Sequence, residues 1–325
     1  MRTMHIDVAR GIGISLVVLG HVWEAPYLLR KYIYSFHIPL FFVLSGYLYN
    51  PSKYCNMTTM AYVSNKIRRR IVPYFALAIT CMILKSGNYT EFKAIGKNIV
   101  GIIYSIGTKE WMPGSAPLWY LTALFSVEVM YFILTHKARY KDQLYLIGII
   151  GVIGWLWSKY IQIRLPWNLD VAMTAILFFY FGRIVKDRMI DDVLHKYAII
   201  IMPIAAVSMI CCVATPSVYA LGANKIGNPA ISILGGISGA LLIIKIAMLI
   251  CEMKCAAILA YYGRNTLIVL GLNYIVHNWI DSALGNVMML RMWIVNYMLQ
   301  MLFYPIVIWL VGKVPPVKRV YYGEV

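Results

Sequence analysis

Asp7, Arg10 and His21 are the residues whose types and spacing could do chemistry. A guanidinium is a permanent cation that holds anionic oxygens, and an imidazole takes or gives a proton near neutral pH. On a helix turning about 100° per residue, eleven steps bring His21 back to within about 20° of Arg10, and Asp7 lies about 40° from His21. The three share one stripe, with Arg10 and His21 about 16 Å apart at ~1.5 Å of rise per residue. The sequence between them, GIGISLVVLG, is apolar. Holding an ionisable group at membrane depth costs roughly 2.5–3.5 kcal/mol, which makes such a group a candidate functional residue. A lone buried histidine is more often a hydrogen-bonded core group. What sets His21 apart is an acid, an arginine and a histidine on one face.

A second apolar stretch, SFHIPLFFVLSGY, embeds His37, Pro39 and Ser45. Further along, Arg68, Arg69 and Arg70 form a basic run just before Pro73. Such a run reads either as a topology anchor touching anionic lipid or as a phosphate-binding cluster, since the arginine fork matches phosphate. Trp119 and Tyr120 open another apolar segment, and Glu128 sits well inside it. A glutamate there needs a proton, a cation or water, and pairing with an arginine to hold helices together is its plain structural reading.

These residues need elements to position them. The 325-residue chain is 61% hydrophobic, only 13% charged, and has a mean hydropathy of +0.70. That is more apolar sequence than a soluble core can hide, so the expected fold is an all-α polytopic transmembrane bundle in the lipid bilayer. Ten apolar segments are expected, at roughly 11–28, 32–49, 71–87, 117–135, 143–160, 170–186, 197–214, 229–251, 256–279 and 290–312. Two-thirds of the 30 Lys and Arg fall on one side of this arrangement, which orients the chain N-in and C-in. The same asymmetry accounts for the net charge of +17 without a nucleic-acid partner. The six cysteines lack metal-ligand spacing and are expected as buried free thiols, and no metal is implied. Amides in the ninth segment, Asn265 and Asn273, are expected to stitch helices together, and His277 is expected near the outer surface. No cleavable leader is read at the N-terminus.

The pattern D-x-x-R-G followed by G-H, then SFHIPLFFVLSGY, RRIVPY and LWYLTALF, resembles the family-3 membrane acyltransferases. It is most similar to the bacterial branch that O-acetylates surface polysaccharides. The resemblance covers nearly the whole chain and implies a single integral-membrane acyltransferase domain over 1–325, in the bacterial inner membrane, without an added hydrolase-like domain. It implies transfer of an acyl group, usually acetyl, from cytosolic acyl-CoA to a hydroxyl of an extracytoplasmic or lipid-linked sugar. Acetyl-CoA is then a co-substrate, and no bound cofactor is expected. His21 matches the family's essential histidine, Arg10 its paired arginine, and Arg70 the arginine before the third span. By that implication His21 is the general base or an acyl-bearing nucleophile, with Asp7 orienting Arg10. Arg68, Arg69 and Arg70 hold the acyl-CoA phosphates. His37, Ser45, Trp119 and Glu128 are candidates for binding the acceptor or polarising the thioester carbonyl. Asn273 stands where many relatives carry a histidine. The competing readings are a transporter or flippase that uses the intramembrane charges as a pathway, and a non-catalytic scaffold. The acceptor glycan and the oligomeric state stay open.

Overall fold

A computed structural model describes residues 4–85, 92–136, 138–187, 196, 198–214, 221–285 and 293–324. Arg2, Lys137, Arg188 and His195, all expected on the inner side, lie outside the described residues, as does the side chain of Cys212. The described chain is a helical bundle. In chain order it runs α1 (Met4–Gly20), α2 (Tyr27–Tyr47), α3 (Pro51–Tyr54), α4 (Thr59–Lys66), α5 (Val72–Leu84), α6 (Phe92–Tyr104), α7 (Trp119–Thr135), α8 (Tyr140–Leu156) and α9 (Leu169–Asp187). It continues with α10 (Ala198–Ala214), α11 (Pro229–Ile250), α12 (Ala256–Arg264), α13 (Thr266–Leu284), α14 (Trp293–Lys313) and α15 (Pro315–Tyr322).

Among the described residues, six segments are long and apolar enough to cross a membrane: 116–135, 140–161, 166–187, 229–250, 266–284 and 293–313. Helices α2 and α10 lie at the expected 32–49 and 197–214, and three other expected spans are realised differently, for visible reasons. The first helix begins at Met4 and stops at Gly20, so it is shifted toward the N-terminus of the expected 11–28 and carries Asp7 and Arg10 inside it. Residues 256–279 are not one span. The helix breaks at Asn265, whose side-chain amide bonds back to the Tyr261 carbonyl at 2.7 Å while its backbone leaves helical geometry (ψ 20°). The segment expected at 71–87 yields a helix of only 13 residues, α5, reached through a π-helical turn at Ile67–Ile71. Pro73 explains that turn. It has no N–H to donate and its ring crowds the preceding turn, so the ladder widens locally, and the Val72 N–H reaches Ile67, five residues back.

Two glycine crossings fix the interior. Gly11 of α1 lies against the Leu259 carbonyl of α12, and Gly263 of α12 lies against the Asp7 carbonyl of α1. Gly46 of α2 and Gly182 of α9 repeat the arrangement against Phe179 and Val43 carbonyls. A Cβ at any of the four would overlap backbone, so these helices touch along their main chains, as small residues allow in apolar bundles. By contrast α8 and α14 turn large apolar side chains outward, among them Tyr145, Ile149, Leu302 and Trp309. An outward apolar face is what a bilayer would cover. The same logic corrects the expectation of buried thiols. Cys81 is buried, but Cys55, Cys211 and Cys255 are exposed and Cys251 is half-buried. A cysteine in an apolar segment need only face the apolar side of the helix, which here is the outside.

Amides join α13 to α14 as expected. Asn273 donates to the Tyr304 hydroxyl at 3.2 Å, and Gln300, itself bonded to Asn296, lies 3.1 Å from Nδ1 of His277. His277 is therefore buried against α14 rather than open at a surface.

Candidate active site

The stripe of α1 lines two neighbouring cavities. Arg10 and Ile14 border a narrow cleft of about 30 Å³, together with Phe41, Arg70, Tyr120 and Thr266. His21 borders a larger cavity of about 340 Å³, with Tyr34, His37, Trp119 and Tyr274. Val17, Ile38 and Leu270 line both. Positions 10, 14, 17 and 21 are the i, i+4, i+7, i+11 series of one helix face, so the spacing read from sequence becomes a wall running from a guanidinium to an imidazole.

His21 sits one residue beyond the end of α1, not within it. Its backbone N–H bonds to the carbonyls of Val17 and Val18, and its ring Nδ1 lies 2.7 Å from the Val17 carbonyl. A carbonyl only accepts, so Nδ1 carries the proton and Nε2 is left as the basic nitrogen of the neutral ring. Tyr274 packs edge-on against the imidazole, with centroids 5.1 Å apart. His37 is built the same way. Its Nδ1 donates to the Ile33 carbonyl at 2.8 Å and Tyr34 packs edge-on at 5.0 Å. Each histidine is held by its own helix and by a tyrosine, with one ring nitrogen uncommitted to the backbone.

The arginine end is organised by ion pairs. Glu128 of α7 receives Nε and Nη2 of Arg70 at 3.0 and 3.1 Å and Nζ of Lys66 at 2.7 Å. Tyr62 donates to the Glu128 carbonyl at 3.2 Å, and the Lys66 ammonium lies over the rings of Tyr54 and Tyr62. Glu128 thus sits with the arginine cleft and does not line the His21 cavity. The π turn separates the three arginines. Arg70 faces inward, while Arg68 and Arg69 are exposed beside Gly323, the residue that follows α15 in a left-handed conformation (φ +64°). Tyr120 hydrogen-bonds with Ser45, which brings Ser45 to the arginine cleft. Asp7 is buried and faces Arg264 of α12, Oδ2 to Nη1 at 3.8 Å. Arg183 donates to the Tyr49 carbonyl at 3.2 Å and pairs with Asp187.

The mouth of the larger cavity was not legible from sequence. Trp23 stands 45% exposed at its edge. The Lys109 ammonium lies 4.1 Å from the Trp23 ring centroid and 5.3 Å from that of Tyr274, the same ring that packs on His21. Partial burial lowers the Lys109 ammonium from the ordinary lysine range, and the nearby cation Lys85 adds to that. The loop carrying Lys109 is tied down. The Asn168 side-chain amide donates to Ser105 and Thr122, Lys97 pairs with Glu110, and Gly107 packs on Trp119 too closely to admit a Cβ. The signal that could have found this rim is the aromatic two residues after His21 together with a lysine in the long loop before Trp119.

Comparison with known proteins gives a consistent picture. A family model described as an acyltransferase domain matches residues 5–315. Nodulation protein NolL of Mesorhizobium japonicum is 42% identical over 14% of this chain and 15% of its own length. Nodulation protein NolL of Sinorhizobium fredii is 44% identical over 14% of this chain and 16% of its own. The chain thus spans about a sixth of the curated relatives it matches. No solved structure matches.

Proposed function

The chain belongs to the acyltransferase 3 family, and from that premise we propose that this membrane acyltransferase moves an acetyl group from cytosolic acetyl-CoA to a hydroxyl of a cell-surface sugar. The setting is the bacterial inner membrane, with ten spans and both termini inside. The observation that carries the reading is the pair of neighbouring cavities that share Val17, Ile38 and Leu270 in their walls, with cations at one end and a backbone-held histidine at the other.

The acyl-CoA phosphates meet Arg68 and Arg69, which are exposed and able to make charge-assisted hydrogen bonds. Arg10 and Arg70 border the cleft through which the acyl thioester enters. Glu128 fixes the Arg70 fork, and Asp7 holds the α1 end through Arg264. At the far end the acceptor hydroxyl is deprotonated by Nε2 of His21, the ring orientation being set by the Val17 carbonyl. The hydroxyl oxygen then attacks the thioester carbon, the C–S bond breaks, and the proton on Nε2 passes to the departing thiolate. His37 and Trp119 line the space the acceptor fills, and Ser45 acts through Tyr120 on the thioester side.

The test is acetyl-ester content of surface glycans in wild-type cells, a deletion strain, and the deletion complemented with His21→Ala shown by immunoblot to be in the membrane. The expected result is loss of specific O-acetyl signals in the deletion, restored by the wild-type chain and not by His21→Ala. Unchanged acetylation in all three strains would overturn the reading.

A further inference from the structure

Lys109 is a cation whose contacts among the described residues are aromatic rings and not an acid. Among the described residues no carboxylate lies within ion-pair distance of it, and the charged neighbour that acts on it is another cation, Lys85. Glu24 and Asp281 act on His277. Two aromatic rings hold the ammonium, Trp23 at 4.1 Å and Tyr274 at 5.3 Å, so its position is set without a counter-ion. It lies close enough to the imidazole to act on His21 electrostatically. A second cavity, of about 560 Å³, adjoins the first at Ala223 and brings Lys159 and Lys225 to its wall. Among the described residues no Asp or Glu lines either cavity.

A cation held on two rings of the cavity wall, with no carboxylate at ion-pair distance among the described residues, is a site for an anion that arrives with the substrate. The donor's phosphates belong to the arginine end, on the other side of Val17, Ile38 and Leu270, so this anion belongs to the acceptor. Resting on the acyl-transfer reading above, we propose that Lys109 is a specificity residue that recognises an anionic oxygen group, a sugar carboxylate or a phosphate, carried by the acceptor beside the hydroxyl that is acylated. Trp23 and Tyr274 give the sugar ring apolar faces to pack on while the ammonium takes the charge. The neighbouring cavity with Lys159 and Lys225 holds the continuation of the same acidic glycan.

The experiment uses the full chain purified into nanodiscs with radiolabelled acetyl-CoA and three acceptors: a methyl glucoside, the matching methyl glucuronide, and a polyprenyl-phosphate-linked glucose. A charge-assisted hydrogen bond of about 1.5–3 kcal/mol predicts that kcat/KM favours an anionic acceptor over the neutral one by about tenfold or more. In Lys109→Gln that ratio collapses toward one through a higher KM, and in Lys109→Arg it is retained. Raising the salt concentration weakens the preference, since a surface charge is screened over about 10 Å at 0.1 M. Preference for the glucuronide assigns the anion to a carboxylate, and preference for the lipid-linked sugar assigns it to a phosphate. Quenching of Trp23 fluorescence by methyl glucuronide or by the phospholipid-linked sugar, lost in Lys109→Gln, reads the same contact without turnover. Equal use of all three acceptors by the wild-type chain overturns the proposal. So does a Lys109→Gln variant that loses kcat while its acceptor preference stands, because that places Lys109 on the thioester instead. If no acceptor is acetylated by the wild-type chain, acetyl-CoA hydrolysis separates the failures. Hydrolysis that persists sinks the charged-acceptor proposal alone, and its absence sinks the acyl-transfer reading with it.

Discussion

The two ends of the α1 stripe solve the problem of buried polarity in opposite ways. At the Arg70 end charge is met by charge: Glu128 takes two nitrogens of the Arg70 fork and the Lys66 ammonium. At the His21 end the polar groups are held by backbone and by rings, and each imidazole keeps a nitrogen uncommitted to its helix. The first arrangement is stable because it is closed. The second leaves ring nitrogens uncommitted to the backbone, and it borders about 340 Å³ where the first borders about 30 Å³. The lesson is that a charged residue in an apolar segment identifies a site only weakly, and its partners decide whether it holds the fold or does chemistry.

That contrast can be broken by substitution. The largest expected effect is on catalysis at the open end. His21→Ala lowers acetyl transfer by about 10²–10⁴-fold, the range for losing a general base, with unchanged thermal stability in detergent. A drop in stability equal to that of a core variant would instead make His21 a packing residue. Next in size is the closed end. Glu128→Ala strands Lys66 and Arg70 and costs about 3–5 kcal/mol, read as a lower melting temperature of the purified protein. Melting within a degree of wild type would show that water or lipid already serves those cations. His37→Ala, on the open side, raises the acceptor KM in steady-state kinetics while leaving that for acetyl-CoA in place. The opposite pattern would exchange the roles of the two cavities. The smallest effect is on the amide stitching. Tyr304→Phe removes the hydroxyl that Asn273 reaches and costs on the order of 0.6 kcal/mol by chemical denaturation, the usual worth of such bonds between membrane helices.

The same contrast explains what was legible in the sequence. The Arg10 to His21 stripe follows from helical period alone, a local property, and it survives into the structure through Ile14 and Val17. The apolar helices that hold it were readable from composition in the same way. Helix ends were less so. His21 stands just past the last turn of α1 because the chain turns there toward Pro26 and α2, and hydropathy does not resolve a turn inside an apolar run. Partners across the chain were not legible. The ion pair of Asp7 with Arg264 was not expected, and Glu128 takes the arginine partner of its structural reading, though nothing in the sequence names Arg70 as that arginine. These pairings arise from the Gly11 and Gly263 crossing and from the π turn before Pro73, which set helix approach and rotation that no single segment encodes. Lys109 reads in sequence as one more loop lysine, and only the rings of Trp23 and Tyr274 give it meaning.

Val17, Ile38 and Leu270, common to both cavities, have a consequence for the cell's energy supply. On the proposed reading the thioester arm crosses between the cavities here, and an open water path at that point would also conduct protons down the membrane potential, at about 2.3 kcal/mol per charge for each 100 mV. The three side chains shared by the two cavities are aliphatic, the kind of lining that stops ion flow by excluding water. An acetyl thioester carries no charge and so crosses such a lining at far lower cost than a hydrated ion. The enzyme would then pass its cargo without short-circuiting the membrane it sits in.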